Sequence, residues 1–369
     1  MRVPFLNLRR EYNLISKKVN SKILQVLASG EYSYGRETEL FEKRFTQLTG
    51  SKYCLATASG TVSLVIALKA LGVQPGDEVI TTPLTFIATV EAIVHVGAKP
   101  VFIDIEEETL NLNPSLLEKA ITKKTKAIIP VHLYGICPNM DLLLQTARKQ
   151  GLSVIEDAAH ALGGKYKNHP LGSLGEIGCF SLYPTKSLGA YGNAGAVVTD
   201  KKILINKMRQ LADHGRGRER NTCYEIGYTG KINNLQAAIL NVKFTYFKKR
   251  MRRKMIISKK YTKAFKSLPI INPPLIPKYC SPVFYVYTIR SQKRDSLRKF
   301  LFNQGIETRI YYSLPLHLQP SLKSFGYKKG DLPIAERVVK SILSLPLYPE
   351  MTDEEVKYIS CKIKEFTKQ

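Results

Sequence analysis

Through the first two-thirds of the chain, short apolar runs alternate with longer stretches of helical patterning. KYCLATAS reads as a strand, and TVSLVIALKALG as the helix after it. That helix is apolar on nearly every face, so it belongs inside the molecule. GDEVITT is the next strand, FIATVEAIVHVG a helix and KPVFIDI a strand. TKAIIPVHLYG continues as strand and loop, MDLLLQTARKQG as a helix with one polar face, and LSVIEDA as a strand that ends in acid. Strands separated by helices predict a parallel sheet with crossover connections. GCFSLYP and GAVVTD are two further strands, too close together for a helical crossover, which leaves room for an antiparallel member.

The pattern changes after about Asn241. A basic helical stretch, KFTYFKKRMRRKMIISKK, comes first, then the proline-rich NPPLIPKYCSP, a strand in YVYTIRS, a helix in SLRKFLFNQGI and a strand in ETRIYY. The fold class expected is therefore α/β, a mostly parallel central sheet flanked by helices, followed by a smaller α+β C-terminal domain. The boundaries expected are residues 15–245 for the large domain and 246–369 for the small one. Residues from Pro4 to about Gly35 lie outside the sheet pattern, and residues 1–14 are expected to pack across the boundary.

Composition narrows the class. Hydrophobic residues make up 44% of the 369 positions and charged residues 23%, as in a globular protein. No apolar run is long enough to cross a bilayer, and MRVPFLNLRREYNLI lacks the pattern of a signal peptide, so the expected compartment is the cytoplasm. The six cysteines are scattered without a CxxC pair, which argues against a disulfide framework or a metal site; Cys54 and Cys179 sit in apolar runs, as core residues do. Lys and Arg number 56 against 30 acids, a formal net charge of +26, densest between Lys243 and Lys260. Such a field favours anionic partners. A long helix with a solvated basic face explains the segment better than a nucleic-acid site, because no recognition motif accompanies it.

Four places at the C-terminal ends of predicted strands can carry chemistry, which is where ligands sit in open α/β sheets. Ser59-Gly60-Thr61 lies between a strand and a buried helix, where free N–H groups suit a phosphate, although an ordinary N-cap accounts for it equally. Asp157 closes LSVIEDA; a carboxylate there can keep a ring nitrogen protonated or merely cap the next helix. Lys186, in SLYPTKSLGAYG, follows an apolar strand among small residues; a lysine held in a pocket loses its proton and forms a Schiff base with a carbonyl, yet it is one lysine among many. Ser181, five residues earlier, offers a hydroxyl to a phosphate. Phe86 follows TTPLT and can stack on a planar ring or fill core.

Phosphate cradle, stacking ring, carboxylate and lysine occur in the order of fold-type-I pyridoxal-phosphate enzymes. The stretches ASGTVSLVIALKALGVQPGDEVITTPLTFIATVEAIVHVGAKPVFIDI, VIEDAAHALGGKYK, GCFSLYPTKSLGAYGNAGAVVTD, NNLQAAIL and LPLHLQP resemble the nucleotide-sugar aminotransferases of the DegT/DnrJ class, from about Phe5 to the C-terminus. The resemblance implies a homodimer that uses pyridoxal 5'-phosphate to move an amino group, with glutamate as donor, onto a nucleotide-diphosphate ketosugar. It implies that Lys186 holds the cofactor, that Asp157 partners its ring nitrogen, and that His160 and Phe86 flank the ring. Gly60, Thr61 and Ser181 take its phosphate, and His317 falls near the sugar-nucleotide site. Where the family has GYNxR reaching from the neighbouring subunit, this chain has GYTGKINNLQAA, so Thr229 stands for Asn and Lys231 for Arg. Asn193 and Ala194 likewise depart from the family's GDGG or GEGG. Two other readings stay open by resemblance: a non-catalytic regulatory or binding protein on the same fold, and a sugar dehydratase, whose lysine is replaced by histidine. A nucleic-acid or membrane-surface role driven by the charge is a third.

Overall fold

The computed structural model describes residues 1–369 except Arg218, Arg220 and Gln369. Its frame is a seven-stranded sheet. The strands in chain order are β1 (Tyr53–Thr57), β2 (Glu78–Thr81), β3 (Lys99–Phe102), β4 (Thr125–Ile129), β5 (Ser153–Asp157), the two-residue β6 (Lys165–Tyr166) and β7 (His169–Pro170), β8 (Ile177–Ser181), β9 (Gly195–Thr199), β10 (Cys280–Ser281), β11 (Tyr287–Arg290) and β12 (Ile342–Leu345). The large sheet runs β1-β9-β8-β5-β4-β2-β3. Neighbours from β8 to β3 pair in parallel, while β9 runs antiparallel to both β1 and β8. The short spacing between GCFSLYP and GAVVTD has this meaning: β8 and β9 are a hairpin pair, and the loop between them carries Lys186.

Helices α1 (Leu8–Ser29) and α2 (Arg36–Thr49) precede the sheet, and α3 (Gly60–Ala70), α4 (Ala88–His95), α5 (Leu117–Ala120) and α6 (Met140–Lys149) lie between its parallel strands. Then come α7 (Lys202–Leu211), α8 (Asn234–Phe244), α9 (Phe247–Phe265), α10 (Arg294–Asn303), α11 (Pro333–Val338) and α12 (Asp353–Phe366). Both sheet faces are covered, as the near-continuous apolar runs require. In β1, Leu55 joins a core with Ile66 of α3, Ile93 of α4 and Met208 of α7. Its neighbours Cys54 and Ala56 point the other way, to a core with Phe41 and Phe45 of α2 and Leu143 of α6. Six consecutive residues of α3, Ser63 to Leu68, are buried, as its all-round apolar pattern predicts.

The N-terminal segment ties distant parts together. Val3 bridges to Ile306. Arg10 pairs with Glu355 of α12 at 2.8 Å, and buried Glu11 pairs with Lys243 of α8 at 2.9 Å. Beyond α9, β11 and β12 form an antiparallel pair, Tyr287 opposite Leu345.

Two expectations need correction. The predicted strand in ETRIYY is a single bridge, Arg309 opposite Ser344; the chain then leaves β12, and Tyr311 and Tyr312 turn to wall a cavity. The basic face of α9 is not wholly solvated. Lys248, Lys249 and Arg252 are exposed, but Lys254 is buried with Ile257, Tyr261 and Phe265 on the inward side, and Lys243 at the end of α8 is buried too. Lys254 falls at helical spacing on the same stripe as Phe247, Ile257, Tyr261 and Phe265, so docking of that stripe carries it inward.

Candidate active site

Residues that lie far apart in the sequence meet at the C-terminal edge of the sheet. Gly60, Thr61, Phe86, Asp157, His160, Ser181 and Lys186 all line one cavity of about 610 Å³, a size ordinary for small-molecule sites. Asn193 and Ala194 line it as well.

One wall is the N-terminus of α3. Ser59 is its N-cap, its hydroxyl accepting from Val62 N at 3.1 Å, while Ser63 N donates to the Ser59 carbonyl at 3.0 Å. The N–H groups of Gly60 and Thr61 are thus the ones left for a ligand, at the positive end of an 11-residue helix. The N-cap is Ser59, and the two N–H groups that it leaves belong to residues that line the cavity. Any side chain at position 60 would put a Cβ 2.9 Å from Cβ of Ser181, closing the cradle between the helix end and β8.

Asp157 ends β5. It is buried, with Oδ2 accepting from Thr89 Oγ1 at 2.8 Å and Oδ1 from Ala159 N at 3.1 Å. Burial raises its pKa, against the pull of those two hydrogen bonds and of Lys186. Each oxygen keeps a free lone pair, so the carboxylate can still accept a proton-bearing ring nitrogen. The preceding acid has a different task. Strand alternation turns Glu156 to the opposite face, where it accepts from Gly172, Leu174 and Gly175 backbone N–H groups and meets His132 Nε2 at 2.8 Å.

Lys186 sits in the β8–β9 loop, its N–H donating to the Tyr183 carbonyl at 2.8 Å. Burial pushes its ammonium down to about 8, partly offset by Asp157. Nζ lies 4.5 Å from the ring centroid of Tyr285. The other side of the wall is the His160 ring, stacked on Tyr285 at 4.2 Å and 16°. Burial drives His160 well below its ordinary pKa, so it is a neutral ring. Phe86, 55% exposed, stands at the mouth beside Tyr312, their centroids 6.0 Å apart.

Two expected residues lie elsewhere. His317 is buried away from the cavity, its Nε2 3.1 Å from Glu336 and its ring near Phe102 and Tyr327. Thr229 bridges to Asp213 and does not line its own chain's cavity. Lys231 pairs with Asp213 at 3.0 Å.

Thr89, Tyr285, Tyr311 and Tyr312 belong to the cavity and were not anticipated. Thr89 sits on α4, three residues beyond Phe86, so helical spacing from the expected stacking ring pointed to it. For the tyrosines no signal exists in a chain with 20 of them.

A cavity holding free N–H groups and hydroxyls, a buried carboxylate and a lysine of depressed pKa fits pyridoxal phosphate. The comparisons agree. The chain matches the DegT/DnrJ/EryC1/StrS aminotransferase family over residues 13–364. It is 41% identical to a "pleiotropic regulatory protein" of Geobacillus stearothermophilus, covering 99% of both chains. It is 38% identical to the UDP-2-acetamido-2-deoxy-3-oxo-D-glucuronate aminotransferase of Pseudomonas aeruginosa, covering 97% of this chain and 98% of that one. Among solved structures, DesV of Streptomyces venezuelae, in complex with a ketimine intermediate, superposes with a TM-score of 0.97 at 35% identity over 100% of this chain and 99% of that chain.

Proposed function

Because the chain belongs to the DegT/DnrJ/EryC1/StrS aminotransferase family, we propose that it transfers an amino group from a donor, glutamate, to a ketosugar carried on a nucleotide diphosphate. The observation that carries this reading is the convergence of Lys186, Asp157 and the α3 cradle on one cavity. Pyridoxal phosphate, when bound, supplies the carbonyl that accepts the amino group and the ring that draws electrons from the reacting carbon.

The chain's own residues supply the rest. Gly60 and Thr61 N–H groups and the Thr61 and Ser181 hydroxyls bind the phosphate. Asp157 holds the ring nitrogen's proton, and Thr89 keeps that carboxylate aimed. Phe86 and His160 flank the ring; because His160 is neutral, it adds no charge against the one Asp157 sustains. Lys186 Nζ holds the cofactor and, once freed, moves a proton to and from the reacting carbon; its lowered pKa keeps an amine available near neutral pH. The same two-step use of one site for donor and acceptor gives ping-pong kinetics.

The working unit in this reading is a homodimer in which Thr229 reaches the neighbouring subunit's cofactor phosphate. Its support is that Thr229 leaves its own cavity untouched, and that symmetric dimers are the commonest assembly.

A second reading, a regulator on the same fold, draws on the name of the Geobacillus relative. One experiment separates them. The purified protein, loaded with cofactor, is given glutamate and a panel of nucleotide-linked ketosugars, and products are read by mass spectrometry. Amination of one of them is expected. A protein that shows no visible absorbance and no borohydride-fixed adduct on Lys186 is the regulator.

A further inference from the structure

Behind Lys186 lies a second cavity, of about 240 Å³, that shares Thr185, Lys186, Tyr285 and Tyr311 with the first. Its remaining walls come from the N-terminal segment between Phe5 and Glu11, from the loop that carries Lys186, from α9, from the chain between Glu307 and Arg309, and from Leu347 to Pro349. The notable group in it is Lys254. This lysine is 6% exposed, and its Nζ donates to the Tyr285 carbonyl at 2.9 Å. Among the described residues, no carboxylate lies within 4.0 Å of it.

The acids nearby are already committed. Glu11 pairs with Lys243 at 2.9 Å and with Arg250 at 3.3 Å. Arg250 also takes Glu350. Glu307 accepts from Phe5 N at 3.3 Å and faces Arg2 at 3.7 Å. Arg309, at the mouth, lies over the Phe5 ring at 5.9 Å and has no ion-pair partner among the described residues. A buried lysine without a counter-charge gives up its proton easily, and an anion that pairs with it restores the ammonium. So the chamber has two acids on its wall, Glu11 and Glu307, both with cationic partners, and two cations, Lys254 and Arg309, without a carboxylate partner among the described residues, beside Lys186.

We propose that this chamber takes a carboxylate of the amino donor, with Lys254 as its buried counter-charge and Arg309 at its mouth. The proposal rests on the aminotransferase reading for the identity of the donor. The position argues for it. An α-amino acid carries its carboxylate on the very carbon whose proton Lys186 moves, so the carboxylate must lie beside Lys186. Lys186 Nζ and Lys254 Nζ stand 4.5 Å and 5.9 Å from the same Tyr285 ring. The size argues too: the space lies below the range of cavities that take drug-sized ligands, so a nucleotide does not belong there. A ketosugar's carboxylate, where it has one, is the other source of the same chemistry.

The test uses cofactor-loaded enzyme and calorimetric titration with glutarate, a dicarboxylate that cannot donate an amino group. Lys254→Met is expected to weaken glutarate at least about tenfold, and Lys254→Arg to restore it to within about threefold. The KM for glutamate is expected to move in parallel. If Lys254→Met fails to fold, Arg309→Gln is expected to weaken glutarate about threefold or more. Titrations with UDP-glucuronate and UDP-glucose distinguish the source. Loss of the preference between these two in Lys254→Met, with glutarate unmoved, overturns the donor assignment. Glutarate affinity and glutamate KM within about twofold of wild type in folded Lys254→Met overturn the site altogether. If wild type binds glutarate through Lys254 but aminates no acceptor, the functional reading fails while the anion site stands.

Discussion

The cavity around Lys186 and the chamber around Lys254 share a wall, yet they are built in opposite ways. The polar groups of the cavity come from strand ends of one sheet, where β1 runs into α3, β5 ends at Asp157 and β8 leads to Lys186, and Tyr285, Tyr311 and Tyr312 complete its wall. The chamber is made by six separate chain segments, and among the described residues its central cation is held by one backbone carbonyl. Both lysines are pushed down by burial, Lys186 to about 8 and Lys254 to about 7. The difference lies in what sits opposite. Lys186 has Asp157 to raise it, whereas Lys254 has Arg250 lowering it further and only Glu350 in compensation. A lysine meant for covalent chemistry needs an amine that is free but recoverable; a lysine meant for an anion needs an unmet charge.

The sharpest way to break this contrast is to remove the two lysines separately. Lys186→Ala is expected to lower transamination by on the order of 1,000-fold or more, because it loses both the cofactor anchor and the proton carrier. Lys254→Ala is expected to raise the KM for the donor. If Lys186→Ala turns over at wild-type rates, the two lysines have been assigned the wrong way round.

Asp157→Asn probes the next largest effect. The amide keeps the hydrogen-bonding shape toward Thr89 and Ala159 but cannot hold a cationic ring nitrogen, so kcat is expected to fall about 100-fold in protein that is folded and cofactor-loaded. A fall below about threefold would make Asp157 a structural acid like its neighbour Glu156.

This pair shows what was legible. VIEDA announces a strand ending in acid, and the strand-helix order puts Gly60, Phe86, Asp157 and Lys186 at strand ends, which the structure brings to one cavity. All of these are local: each depends on residues within one strand and the turn after it, and the sheet then brings the ends together. The short spacing left room for an antiparallel strand, and β9 is one. The chamber was illegible because none of its parts carries a local signal. Lys254 looks like any other lysine in a basic helix, and only the docking of α9 beneath Tyr285 makes it special. The ETRIYY segment failed for a related reason: alternation predicted strand, but pairing with β12 stops after Arg309, and no local rule says where a partner strand runs out. His317 stands in a stretch resembling a binding motif, yet its ring faces Glu336 rather than the cavity.

Competitive acetylation of the cofactor-free protein across pH compares the two lysines directly. Only the unprotonated amine reacts, so labelling rises with pH through each pKa. Lys186 is expected to reach half its maximal reactivity near pH 8 and Lys254 near pH 7, against about 10.4 for a solvent-exposed lysine. The charged groups that act on Lys254 are Arg250 and Glu350, and Glu11, Glu307 and Arg309 share the chamber wall. Adding glutarate is expected to move Lys254 upward, since a carboxylate favours the ammonium, while moving Lys186 less. Peptide mass spectrometry reads both sites at once. Midpoints near that of surface lysines for both would mean that water reaches them freely.

The smallest effect is expected one face away on the same helix. Lys248, Lys249 and Arg252 are exposed on α9 and have no ion-pair partner among the described residues. Arg253 does not belong with them, because it donates to Asp353 Oδ1 at 2.7 Å and to the Met351 carbonyl at 2.8 Å. Exposed charges are screened beyond about 8 Å at physiological salt, so the three can attract an anionic nucleotide sugar from a distance but cannot alter chemistry inside the cavity. Changing all three to glutamine is expected to leave kcat within about twofold, and to lower kcat/KM a few-fold at about 10 mM salt but not at about 300 mM. The measurement is a pair of saturation curves at the two salt concentrations, with thermal unfolding as a check on the fold. A kcat that collapses at the higher salt in folded protein would show that these cations reach the chamber, and the line drawn between the inward and outward faces of α9 would have to move.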